Sequence, residues 1–131
     1  MSSILPNDEA LRALVSNPDE GKVVMLNLLK FKGEEGARAY DRYVENVSKI
    51  LEARGARIIY SGKAAELLVG DDTWDAIILV EYPSRKVFVE MVNNPEYLKV
   101  QVDREQGLER TVLYATSPMG EGERFFSNKI N

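Results

Sequence analysis

Val23-Val24-Met25-Leu26-Asn27-Leu28-Leu29-Lys30-Phe31 is the stretch that decides the fold. It is nearly continuously apolar, too short to cross a membrane, and lacks the three-to-four-residue recurrence of a helix, so it reads as a buried strand. Lys32-Gly33 closes it. Val24, Leu26 and Leu28 fill one phase of this strand, while Val23, Met25, Leu29 and Phe31 dominate the other. A sheet with one wet face alternates apolar and polar residues along its strands. This strand does not alternate, so both of its faces need a cover.

Working outward, Asp8 to Val15 reads as a short helix, opened by Pro6-Asn7 and stopped before Asn17-Pro18. From Glu34 to Arg54, Ala37, Tyr40, Val44, Val47 and Leu51 recur at steps of three and four and predict a helix with one buried stripe, ended by Gly55. Arg57 to Lys63 reads as a second strand with a bulge at Gly62, able to resume through Leu67 to Val69. After turn residues Gly70-Asp71-Asp72-Thr73, Trp74 to Tyr82 reads as a third strand. Ser84 caps a helix, Asn94-Pro95 breaks and restarts it, and the second piece runs to about Glu105 before Gly107. Glu109 to Thr116 supplies the fourth strand. In the tail from Met119 to Asn131, Phe125-Phe126 either docks on its own subunit or reaches a partner.

The resulting order, β-α-β-β-α-β, is the ferredoxin-like arrangement: right-handed crossovers put both helices on one face of a four-stranded antiparallel sheet. A single α+β domain over 1–131 is expected, with a core over 22–117, an N-terminal helix extension over 1–20 and a C-terminal tail over 118–131. The sheet's other face is then open. Leaving its aliphatic side chains in water would forgo roughly 1.5 to 3 kcal/mol each, against a typical net stability of about 5 to 15 kcal/mol. The amino-terminal helix could cover part of that face. The larger expectation is a homodimer, two open faces packed together.

Composition narrows the chemistry. The 131 residues are 44% hydrophobic and 29% charged, with a formal net charge of −4. That balance fits a folded globular protein and offers no basic stripe for nucleic acid or anionic membrane. The amino terminus lacks a secretory signal pattern, which predicts a cytoplasmic location. Zero cysteine removes thiolate nucleophiles, disulfides and sulfur ligands, and zero histidine removes the usual general base and commonest metal ligand. There is no Walker or Rossmann fingerprint, and Asp71, Asp72 and Asp75 lack the calcium-loop pattern, so they read as a solvated turn. Neither metal nor cofactor is expected.

Val24-Met25-Leu26-Asn27-Leu28-Leu29-Lys30-Phe31, Glu81-Tyr82-Pro83-Ser84, and Asn94-Pro95-Glu96-Tyr97 followed by Arg104 together resemble the bacterial family called domain of unknown function 1330. The resemblance spans roughly Val23 to Thr116. It implies the dimeric α/β-barrel superfamily, in which two sheets pack face to face around a cavity and cofactor-free monooxygenases hold aromatic substrates with polar side chains. The family itself carries no general reaction.

Five residues are candidates for a site. Asn27, a carboxamide in an aliphatic strand, must find hydrogen bonds; it either points into a cavity between the sheets of a dimer or bonds to neighbouring backbone. Trp74 is an aromatic wall for a substrate or a plug near the hairpin end. Tyr60 could supply a hydroxyl for proton transfer. Arg104 could clamp a carboxylate bidentately or form a helix-end ion pair. Glu81 could be a general base or a dimer salt bridge, and the phase of its strand is left open. The expectation that follows is a small-molecule protein, in its catalytic form a cofactor-independent oxygenase or isomerase acting on a small aromatic or carboxylated metabolite. The alternative is a non-enzymatic ligand-binding or interaction module.

Overall fold

The computed structural model describes residues 4–126; the last five residues of the tail lie outside them. The elements run α1 (Asp8–Ser16), β1 (Val23–Phe31), α2 (Gly33–Ala53), β2 (Arg57–Lys63), β3 (Ala76–Tyr82), α3 (Arg85–Val92), α4 (Pro95–Gly107) and β4 (Leu108–Thr116). The four strands form one antiparallel sheet in the order β2-β3-β1-β4.

Local chemistry accounts for most boundaries. The Asn7 carboxamide accepts from the Ala10 N–H at 2.7 Å and opens α1, whose first turn carries Asp8 and Glu9. Ser84 accepts from Val87 N–H at 3.2 Å at the start of α3, and Asn94 accepts from Glu96 N–H at 2.8 Å at the start of α4, with Pro95 in its first turn. Gly55 takes the left-handed conformation, φ 74°, that ends the α2 region.

Four expectations are corrected. The buried stripe of α2 is Ala39, Tyr40, Tyr43, Val47, Ile50 and Leu51, with Ala37 and Val44 half-buried. The helix is clasped by α4 as well as by the sheet, which turns its buried arc. The bulge of β2 sits at Ile59 rather than Gly62: Ile58 pairs with Val80, and the next pair is Tyr60 with Leu79. Leu67 to Val69 do not resume the strand but lie exposed in the connection to β3, which begins at Ala76. Phe125 and Phe126 are 98% and 84% exposed, so the pair does not dock on its own subunit.

Strand pairing assigns the faces. Val23, Met25, Asn27 and Leu29 of β1 and Ile78, Val80 and Tyr82 of β3 are buried under the helices. Leu11 and Leu14 of α1 pack on the same side, bordering Met25, Phe88 and Leu113. The amino-terminal helix therefore covers none of the opposite face. That face keeps Val24, Leu26 and Leu28 of β1 beside Ile77 and Leu79 of β3 and Val112 and Tyr114 of β4, uncovered within the described chain.

Candidate functional site

Between the inner face of the sheet and the helices lies a cavity of about 60 Å³. Its polar lining comes from three elements. The α2 helix presents Tyr40 and Tyr43, one turn apart, and α4 presents Tyr97, Gln101 and Arg104 at the i, i+4, i+7 spacing that puts them on one face. The sheet adds Asn27 from β1 and Tyr82 from β3. Aliphatic and thioether side chains, Met25, Val47, Ile78 and Leu113 among them, complete the wall. Leu5 and Pro6, in the segment leading into α1, border it as well.

Arg104 is 4% exposed. Its Nη1 donates to the Ile4 carbonyl at 2.6 Å, while Nη2 is buried with no hydrogen-bond partner among the described residues. A buried polar group is nearly always satisfied, so an orphaned guanidinium N–H is the most informative atom here. Burial works against the Arg104 charge, but the facing Tyr40, Tyr43 and Tyr97 outweigh it and hold the group above its ordinary value. The site thus keeps a permanent cation. Burial, the largest cause in each case, raises the Tyr40, Tyr43 and Tyr82 hydroxyls above the ordinary tyrosine value. These three phenols stay protonated and can donate. The Tyr43 and Tyr97 hydroxyls share a hydrogen bond of 2.9 Å, with the rings edge to face.

Asn27 is 7% exposed and donates to the Met25 and Ile78 carbonyls, both at 3.4 Å. Those bonds are at the long limit, so the carboxamide is weakly committed to its neighbours. It does not point toward the open face of the sheet: its phase faces the helices. The space it enters is inside the single chain.

The five expected site residues are divided among three places. Asn27 and Arg104 meet in the cavity. Tyr60, 55% exposed, lies opposite Leu79 on the open face, shifted there by the Ile59 bulge. Glu81 is on the same face, where its carboxylate pairs with Arg57 at 3.2 Å and Lys22 at 3.9 Å. Trp74 sits before β3 with the Arg110 guanidinium 4.1 Å over its ring. Asp75 ties the end of β1 by accepting from Phe31 N–H at 2.9 Å. The tyrosines of α2 and α4 line the cavity as well, at positions that helical periodicity alone assigns to the core. The signal that could have found them was the Tyr97, Gln101, Arg104 spacing, because a polar face on a helix that must be buried calls for a cavity.

A wider groove, about 780 Å³, runs between the α1–β1 connection and the start of α3. Its buried cation, Arg85, donates to Ser117 Oγ at 2.8 Å and faces the Asp19 carboxylate at 3.6 Å. A carboxylate already stands beside that cation, Glu20, Lys86 and Glu90 line the groove, and Arg85 Nε and Nη1 make no hydrogen bond among the described residues.

A four-stranded antiparallel sheet in this order, its helices on one face and a polar-tipped cavity beneath them, defines a ferredoxin-like α+β protein. The chain belongs to the family described as Domain of unknown function (DUF1330), whose model matches residues 31–117. It is similar to a protein of unknown function from Rhodopseudomonas palustris, with 29% identity and TM-score 0.84 over 92% of this chain and 99% of that one. A dimeric protein of unknown function with a ferredoxin-like fold from Bacteroides fragilis has 15% identity and TM-score 0.55, over 74% and 96% of the two chains. A third, from Bacteroides thetaiotaomicron and provisionally named an antibiotic biosynthesis monooxygenase, has 16% identity and TM-score 0.56, over 81% and 97%. No curated protein matches the chain.

Proposed function

We propose that this is a small-molecule-binding protein whose ligand lies inside each chain, between the sheet and helices α2 and α4, and that two chains associate through their open sheet faces. The observation that carries the first half is the buried, half-satisfied Arg104 guanidinium facing a cavity with neutral phenols and a weakly committed Asn27. A concave, mostly apolar site with a few convergent polar groups is what small ligands require. The second half is supported by the apolar face left uncovered and by the dimeric state named for the Bacteroides fragilis protein.

Within this reading Asn27 orients the ligand and Arg104 anchors it. The catalytic version, a cofactor-independent oxygenase or isomerase, is supported by the name of the Bacteroides thetaiotaomicron protein. The described cavity lining contains no carboxylate, amine, imidazole or thiol to serve as a base, so binding is the reading the geometry favours. Tyr60 and Glu81 lie on the open sheet face, outside this cavity, and supply it with no base.

Fragment screening by protein-observed methyl NMR tests the assignment, with the Met25 methyl as a reporter inside the cavity. Binding fragments shift that methyl and weaken in Asn27→Leu. Fragments that bind without moving Met25, and whose affinity ignores Asn27→Leu, would overturn the cavity as the site.

A further inference from the structure

The charge and shape of the Arg104 head specify more than a ligand. A guanidinium presents parallel N–H donors, and a carboxylate is the group whose two oxygens match such a pair. In this chain one of the two outer nitrogens donates to a backbone oxygen, that of Ile4, and the other makes no hydrogen bond of good geometry among the described residues, although the Tyr40 hydroxyl also interacts with the guanidinium. A peptide carbonyl can satisfy half of this fork, and so could a phenolate or enolate, each with one oxygen to offer. A carboxylate satisfies both halves. Charge balance limits it further: Arg104 is the sole cation among the described lining residues, so one negative charge is neutralised and a second would be buried unpaired.

We infer that the ligand of this cavity is a small monocarboxylic acid with an apolar body, and that the Ile4 carbonyl is the intramolecular stand-in its carboxylate displaces. This rests on the proposed binding cavity and adds the chemical class of its occupant. The displaced segment contains no fully buried side chain, Ile4 being half-buried against the core and Leu5 and Pro6 exposed. The α1 helix that follows it contributes no fully buried side chain, only the half-buried Leu11 and Leu14, and segments with so few buried contacts open at low free-energy cost. Moving Ile4, Leu5 and Pro6 aside enlarges a cavity that at about 60 Å³ admits only a small group. The acid's body then lies along Met25 and Leu113, with the Asn27 Oδ1 placed to accept from a hydroxyl on it.

The test is calorimetric titration of the full chain with acid and amide pairs: acetate and acetamide, hexanoate and hexanamide, benzoate and benzamide, with phenyl phosphate as the dianion. At least one acid is expected to bind once per chain, about tenfold or more tighter than its amide, since only the acid makes a charge-assisted pair with Arg104. That preference disappears in Arg104→Gln. Arg104→Lys, which keeps the charge in case the glutamine variant fails to fold, is expected to retain the sign of the preference but lose most of its size. On saturation a 13C-labelled Ile4 carbonyl shifts as its bond to Arg104 is released. Amides that bind as well as acids, or phenyl phosphate that binds tighter than benzoate, would overturn the monoacid assignment and leave the cavity standing. An unmoved Ile4 carbonyl would overturn the displacement. If no acid or amide binds at all, the cavity reading fails with it.

Discussion

Gly36 of α2 and Gly107 of α4 meet backbone to backbone: a Cβ built on either would stand 2.6 Å from the carbonyl oxygen of the other. That contact brings together the two helices that carry Tyr40, Tyr43, Tyr97 and Arg104, beside the polar lining of the cavity. Gly107→Ala is expected to destabilise the chain by about 1 to 3 kcal/mol, overpacking outweighing the better helix propensity of alanine. Urea unfolding measures it, and unchanged stability would contradict the contact.

Asn27→Leu is expected to leave stability unchanged or to raise it by up to about 1 kcal/mol. A buried carboxamide with two bonds of 3.4 Å gives back little for its desolvation. Loss of ligand affinity without loss of stability, read by thermal melting beside fragment binding, would separate a site residue from a core residue.

The open sheet face gives a prediction about assembly. Sedimentation of the unmodified chain at micromolar concentration is expected to return twice its 14.8 kDa mass. Leu26→Glu places a carboxylate at the middle of that face and is expected to weaken association by about 2 to 4 kcal/mol. Because Leu26 faces away from the core beneath the helices, circular dichroism of the resulting monomer stays folded. A parent chain that sediments as a monomer defeats the pairing outright.

Alkaline pH supplies a test of the buried phenols. Tyr40, Tyr43 and Tyr82 ionise above the ordinary tyrosine value when folded, and near that value, 10.0, when unfolded. Their contribution is therefore fully present below about pH 9 and is lost as pH rises through 10 and beyond, because the unfolded chain gives up protons first. Each phenol adds up to about 1.4 kcal/mol per pH unit to that decline. Tyr43→Phe removes one of them, so its melting temperature falls less steeply between pH 10 and 11.5 than that of the parent. Parallel curves would show Tyr43 titrating normally.

Much of this was present in the chain as written. The nine residues from Val23 to Phe31 form the strand they suggested, and Asn7, Ser84, Asn94 and Gly55 mark element ends through their own side chains or backbone freedom. The absence of histidine and cysteine narrowed the chemistry without any coordinates. These are local facts, set by periodicity of two or 3.6 and by hydrogen bonds spanning a few residues. Which phase of β1 faces the helices is not local, because both phases are apolar and only pairing with distant strands and helices chooses between them. One extra residue at Ile59 sent Tyr60 to the opposite face from Asn27. The bond from Arg104 to Ile4 joins residues 100 positions apart. Sequence therefore determined the elements and the residue types able to act, while tertiary packing decided that Asn27 and Arg104 share a cavity inside one chain and that Glu81, Tyr60 and Trp74 lie outside it.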